Sequence, residues 1–271
     1  MEITIETISP HQAKLMLDSS VGNRTTKRHH VEAIARDMVA GRWKLTGDPI
    51  KIDTNGQLND GHHRLLGCIK ANTGFRTAVV RGITPDVHSV LDTGKSRSFA
   101  DELKMRGEVN AQALAALVQL AWRYDNDRLS SPHGPSRQEL VSYLDANPGT
   151  RDAIRSAHGI AAKTLVHSGA FSATYFLAGR DVGYEQAEAW RTRLVTDSGF
   201  PDGDPVLALR RYATRIKSSR SERPETIEWF ALTNKSFNYW LKGRSVAILA
   251  WRRGGAGAED FPRIIADPYL P

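Results

Sequence analysis

Residues Ile50 to Ile69 constrain this chain more than any other stretch, because they specify strand, turn, strand and helix in immediate succession. Ile50, Ile52 and Leu58 alternate with polar neighbours, the pattern of a half-buried strand pair. Asn55-Gly56 lies between them, and both residue types tolerate positive φ, so a tight hairpin is predicted. Asp60-Gly61-His62-His63-Arg64 comes next, then Leu65, Leu66, Cys68 and Ile69 at helical spacing. Asp60 is expected to cap this helix, and Gly61 to let a backbone or ligand come close. A helix that starts at the end of a strand points N–H groups and its positive dipole end at one place. Two imidazoles and the guanidinium of Arg64 there suit phosphate oxygens. The same residues also satisfy a plainer reading, as solvated side chains of a first helical turn.

Bulk properties set the bounds. The chain has 271 residues, 40% hydrophobic and 25% charged, enough apolar material for one large domain or two smaller ones. No apolar run is long enough to span a bilayer, and the acidic start MEITIETISP does not read as a signal peptide, so no membrane partner is expected. The single cysteine, Cys68, excludes a disulfide framework and a cysteine-based zinc site, and fits a reducing cytoplasm. A net charge of +7 favours an anionic partner such as nucleic acid.

Asp60 to Arg64, in its strand–turn–helix setting, resembles the loop of the ParB/sulfiredoxin-like superfamily. The string is close to that of free-serine kinases and of Asp-Gly-Gln-His-Arg regulators. The resemblance covers roughly the first hundred residues. It implies an α/β (α+β) nucleotide-binding domain, over residues 1–105. Gly61, His62, His63 and Arg64 would hold phosphates, with Asp60 and His62 in catalytic roles and Asp60 as the metal contact. It also implies Mg²⁺ carried with a nucleoside triphosphate, ATP or CTP. Arg24, in the basic connector Val21 to His30, would face the nucleotide. In ParB nucleotide-binding domains a second phosphate and magnesium box follows the third strand. Asp92 to Arg97 falls at that place, with Asp92 and Arg97 as the equivalents and Thr93, Lys95 and Ser96 between them. Read from its residues alone, that stretch is equally an exposed basic turn before a helix. Free-serine kinases place a catalytic glutamate in the connector, where this chain has Asn23-Arg24, and an arginine cannot accept a substrate proton. Sulfiredoxin's nucleophilic cysteine would fall at His62.

The rest of the chain is read from periodicity. Met1 to Thr7 is expected to be an edge strand, Pro10 to Leu17 and Val31 to Gly41 helices, and Thr77 to Arg81 a strand. From residue 106 to 271 the pattern is helical, giving an α-helical second domain. Ser136 and Glu139 form a capping box, a helix is expected from Thr150 through Thr164, and Val246 to Trp251 reads as a strand or a buried helix end. The helices around Pro148 have the spacing of a helix-turn-helix, although most such pairs simply pack. Arg210, Arg211, Arg215, Lys217 and Arg220 make the densest basic stretch and are the candidate DNA contacts. The aromatic residues that follow, Trp229, Phe230, Phe237, Tyr239 and Trp240, read better as core.

These readings converge on a nucleotide-binding, DNA-associated protein of partition or regulatory type, with slow NTP hydrolysis or none. The alternatives are an ATP- or ADP-dependent phosphotransferase and a ParB-like nuclease. A second copy of the chain is the remaining candidate partner.

Overall fold

The strand alternation at the start of the chain produces β1 (Glu2–Ile8), and Ile8 is the residue it buries fully. The computed structural model describes residues 1–19, 27–84, 98–196, 199–219, 221 and 223–266. Ser9 closes a capping box with Gln12, with Pro10 at the first helical position, and starts α1 (Pro10–Asp18). Next come α2 (Arg28–Val39), β2 (Ile50–Asp53), β3 (Leu58–Asp60), α3 (His62–Ala71) and β4 (Phe75–Ile83). The sheet order is β1-β4-β2-β3. β1 pairs antiparallel with β4 from Glu2↔Arg81 to Ile8↔Phe75, β2 runs parallel to β4, and β3 returns antiparallel beside β2. β1 is therefore an edge strand, as its alternation predicts.

Ala13, Ile34, Met38, Leu65 and Cys68 bring the helices onto the sheet against Ile8, Ile50, Leu58, Phe75 and Val79. Each fully buried Leu, Ile or Phe there contributes on the order of 1.5–3 kcal/mol. Gly67 lets α3 approach α2: a Cβ at that position would stand 2.4 Å from Ile34 Cγ2. Cys68 is fully buried, donates to the Thr73 carbonyl at 3.2 Å, and has its thiol pKa pushed up by burial. It is a core residue on the side of α3 away from the loop.

The hairpin differs from its prediction. Gly56 has φ +78°, but Asn55 is not in the left-handed region. The turn is organised instead by the buried Asp53, whose Oδ1 accepts from the N–H groups of Asn55 at 2.8 Å and Gln57 at 2.9 Å.

The chain forms two compact units, Met1–Ser98 with Ser130–Ser142, and Phe99–Leu129 with Tyr143–Pro271. A single cut after residue 105 does not describe this. The reason is a polar clasp on α2. Arg36 donates to both carboxylate oxygens of Glu139, at 2.8 and 3.1 Å, and to the Gly134 carbonyl at 3.0 Å. Ser136 Oγ donates to Asp37 at 2.8 Å, and His133 meets Glu32 at 3.3 Å. Ser136 and Glu139 form the predicted capping box at the start of α6 (Arg137–Ala146).

The second unit is helical: α4 (Phe99–Met105), α5 (Ala111–Asp125), α6 (Arg137–Ala146, its start belonging to the first unit), α7 (Gly149–Ser156), α8 (Ile160–Thr164), α9 (Ser168–Asp181), α10 (Tyr184–Val195), α11 (Pro205–Ser218) and α12 (Thr226–Leu241). α9 is buried continuously from Ala170 to Gly179. Trp190 stacks on Phe171 at 5.4 Å and meets Phe237 edge-on at 5.7 Å. The helix expected from Thr150 to Thr164 is broken in two by Gly159, at φ +76°. Val246 to Trp251 is neither strand nor helix. Among the described residues no helix is long and apolar enough to cross a membrane.

Candidate anion-binding site

Gly61, not Asp60, is the N-cap of α3. Its φ of +111° turns the chain sharply from β3 into the helix, and no side chain caps the start. The reason is steric: only a glycine readily takes that backbone angle. A Cβ there would also stand 3.0 Å from Ile50 Cγ1. Asp60 is displaced by one position and pairs sideways, with Lys51 at 3.4 Å and with Arg64 at 3.5 Å.

Arg64 is held by its own chain. It donates through one terminal nitrogen to the Asp48 carbonyl and through the other to the Pro49 carbonyl at 2.9 Å, and its side chain is 14% exposed. The guanidinium therefore ties the segment before β2 to the first turn of α3. This is a different role from the phosphate grip expected of it.

α2 starts beside α3. Its N-cap is Lys27, again without a side-chain cap, and the helix begins at Arg28, three residues earlier than the apolar periodicity predicts. The Lys27 N–H donates to His63 Nε2 at 3.2 Å, a bond that requires this nitrogen to be unprotonated. The rings of His30 and His63 lie 5.1 Å apart, and those of His62 and His63 6.1 Å apart. Neither first turn contains an acidic residue. The first N–H groups of any helix have no partner within it, and here two such ends meet among Lys27, Arg28, His29, His30, His62 and His63. Burial holds the His62 and His63 pKa values below the ordinary imidazole value, with the positive field of His62, Lys27 and His29 adding to it at His63. The same holds for His30, by burial first and then His63 and its other neighbours.

The other carboxylates of α2 are engaged elsewhere. Glu32 pairs with Lys70 at 3.0 Å and with His133, and Asp37 with Arg42 at 3.0 Å and with Ser136. Among the described residues no three His, Cys, Asp or Glu side chains are grouped to hold a metal. Arg24, Asp92, Thr93, Lys95, Ser96, Arg97 and Arg220 lie outside the described residues, as does most of the basic connector.

In the second unit, α11 turns one face outward. Arg211, Thr214, Arg215 and Lys217 are exposed, and an open hollow of ≈ 510 Å³ runs beside Arg211, Thr214 and Arg215. Arg210 instead donates to the carbonyls of Leu194 at 3.2 Å and Thr196 at 2.8 Å, closing the end of α10. Arg215 lies over the Tyr212 ring at 5.1 Å. Of the arginines on the candidate helix-turn-helix, Arg151 is turned to Glu108 at 3.0 Å and Arg155 pairs with Asp152. Trp229, Phe230 and Phe237 are core.

Lys27 belongs to the basic connector that the resemblance turns toward the ligand; sequence reasoning missed Asp53. No family model, no curated protein and no solved structure matches this chain.

Proposed function

We propose that the paired starts of α2 and α3 bind the phosphates of a nucleotide, and that the protein is a nucleotide-responsive, DNA-associated factor of partition or regulatory type. The observation that supports this is the Lys27 N–H to His63 Nε2 bond. It brings two uncapped helix N-termini and their imidazoles to one place with no acidic residue in either first turn. Anions are favoured there by dipole, N–H groups and cationic side chains together. Arg64 supports the site by fixing the first turn of α3 rather than by touching the ligand.

The reading favours binding over chemistry. A phosphotransferase needs a carboxylate free to take the acceptor's proton, and Glu32 and Asp37 are committed to ion pairs. Asp60 lies between two cations, so a magnesium ion would arrive on the nucleotide rather than on this carboxylate. The nuclease reading needs Asp60, His62 and His63 to converge on a metal, and they are not so grouped.

DNA would be contacted through the phosphate backbone by the outward face of α11, chiefly Arg211 and Lys217. The test is a titration of fluorescent ATP and CTP with and without duplex DNA. Lys27→Glu with His63→Ala is expected to weaken nucleotide binding at least about tenfold, with the fold retained. Arg211→Glu with Lys217→Glu is expected to leave the melting curve unchanged and to flatten the salt dependence of DNA binding by about two phosphate contacts. Nucleotide affinity unchanged in the first variant sinks the phosphate-site reading. An unchanged salt slope in the second sinks the DNA face.

A further inference from the structure

The two helices that present the anion site touch along a seam. Lys27 bonds to His63 at its start, and Ile34 of α2 fits against Gly67 of α3 further along. Glu32 adds a charged tie. Its Oε1 accepts from Lys70 Nζ of α3 at 3.0 Å. Its Oε2 faces His133 Nδ1 of the segment 130–142 at 3.3 Å. One carboxylate therefore joins α2 to α3 through one oxygen and to the segment through the other, all within the first unit. His133 Nδ1 is shielded from solvent, and a carboxylate can only accept, so this nitrogen holds its proton toward Glu32.

Glu32 is the first acidic residue of α2 and lies one turn beyond Arg28. A bare carboxylate so close to the helix start would repel an incoming phosphate. Lys70 above all, then His133 and Arg36, offset its charge and hold its carboxyl below the ordinary range. Ion pairs this exposed, with Glu32 at 26% and Lys70 at 53%, add little to stability. Their consequence here is geometric. The Lys27–His63 contact is a single neutral hydrogen bond, and Ile34 against Gly67 is a close apolar contact with no directional partner. The Glu32 junction fixes how far α2 can turn about that contact, and so how the two helix starts face each other.

We propose that Glu32 is a positioning residue of the phosphate site, and that segment 130–142 sets the site's ligand affinity through the His133–Glu32 contact. For its ligand the inference rests on the phosphate-site reading above. It adds a remote determinant of affinity, one that touches neither the ligand nor the helix starts.

The test is a double-mutant cycle on the full chain with fluorescent ATP and CTP. His133→Ala is expected to weaken binding at least about fivefold. In a Glu32→Ala background, already weakened, the same change is expected to have no further effect, because its route to the site is gone. A merely structural loss would add in both backgrounds. Equal losses in the two backgrounds, or native affinity in His133→Ala, overturn the proposal. Where Glu32→Ala does not fold, Glu32→Gln, which keeps the shape without the charge, takes its place. A ligand-free readout separates this failure from failure of the phosphate-site reading. The His63 titration midpoint, followed by NMR, is expected to rise toward the ordinary imidazole value in Glu32→Ala, as α2 moves off the ring. Removing a carboxylate would by charge alone lower that midpoint, so a rise reports movement. An unmoved midpoint overturns the positioning role even in a chain that binds no nucleotide. A raised midpoint in a chain whose affinity ignores Lys27→Glu with His63→Ala upholds the positioning role and sinks the phosphate-site reading alone.

Discussion

Arg64 shows how one side chain can be legible in position and misread in role. Its spacing from Asp60 predicts a shared face, and the ion pair at 3.5 Å is there. Its main partners, the carbonyls of Asp48 and Pro49, lie in a stretch with no periodicity to announce them. Backbone acceptors carry no sequence signature, so a pinned arginine and a ligand-gripping arginine look alike before folding. The cap was misread for a related reason: asparagine and aspartate preferences speak for Asp60, but the chain needs positive φ at the corner, which speaks for Gly61. Arg64→Lys loses the rigid fork and is predicted to lower stability by about 1–3 kcal/mol. Denaturant unfolding should register this, while nucleotide affinity falls less than in His63→Ala. The imidazoles give a pH prediction. His30, His62 and His63 are held neutral by burial, with folded pKa values below the unfolded one. The unfolded chain therefore protonates first, and the stability they contribute is present above about pH 6.5 and declines below it. A bound phosphate favours the imidazolium at His30 and His62, while His63 stays neutral to accept the Lys27 N–H. Nucleotide affinity is accordingly predicted to rise between about pH 8 and about pH 6, even as the ligand-free protein melts earlier. Parallel binding and melting series at fixed ionic strength would test the opposed signs.

Among the elements, those with strong local chemistry were the most readable. Ser9-Pro10 and the Ser136–Glu139 box announce their helices; the box forms, and Ser9 closes a second one with Gln12. The β1 alternation and the α3 apolar stripe were equally plain. Failures fell where polar residues belong to a helix or apolar ones do not. Arg28, His29 and His30 carry no apolar period but are the first turn of α2. Val246 to Trp251 is apolar but irregular, its Val246 N–H bonded to the Gly203 carbonyl at 2.7 Å. The contact between α2 and α3 makes its own prediction. Gly67→Ala raises helix propensity by about 1 kcal/mol, yet the new methyl would meet Ile34 Cγ2 at 2.4 Å. Overpacking typically costs about 1–3 kcal/mol, so the variant is predicted to be net destabilised. It should also weaken nucleotide binding, because the same helices present the site. A melt no lower than that of the native protein would show that the two helices can part without penalty.

At the scale of the whole molecule, the surplus of positive charge was visible at once, and its distribution was not. Arginines counted as one basic stretch separate into Arg210, which closes α10, and Arg211, which faces outward. The division of the chain was also beyond local patterns, because it depends on a clasp between distant residues. Glu139 is kept ionised there: burial raises its pKa, but the Arg36 hydrogen bond and the Ser136 N–H outweigh it and the net shift is downward. Its stabilisation is present above the ordinary carboxylate range and is lost on acidification through it. Arg36→Ala leaves a buried carboxylate without its main partner and is predicted to cost about 3 kcal/mol, with segment 130–142 becoming the first site of proteolysis. Limited digestion of native protein and variant would show whether cleavage moves there. Glu139 follows Arg36 by 103 residues. During synthesis, then, the sheet and its three helices are made well before the piece that fastens α2, and stay unfastened while α4 and α5 are translated. A nucleotide that engages α2 in that interval would act as a temporary splint, making ligand supply a factor in how much of the newborn chain reaches its final form.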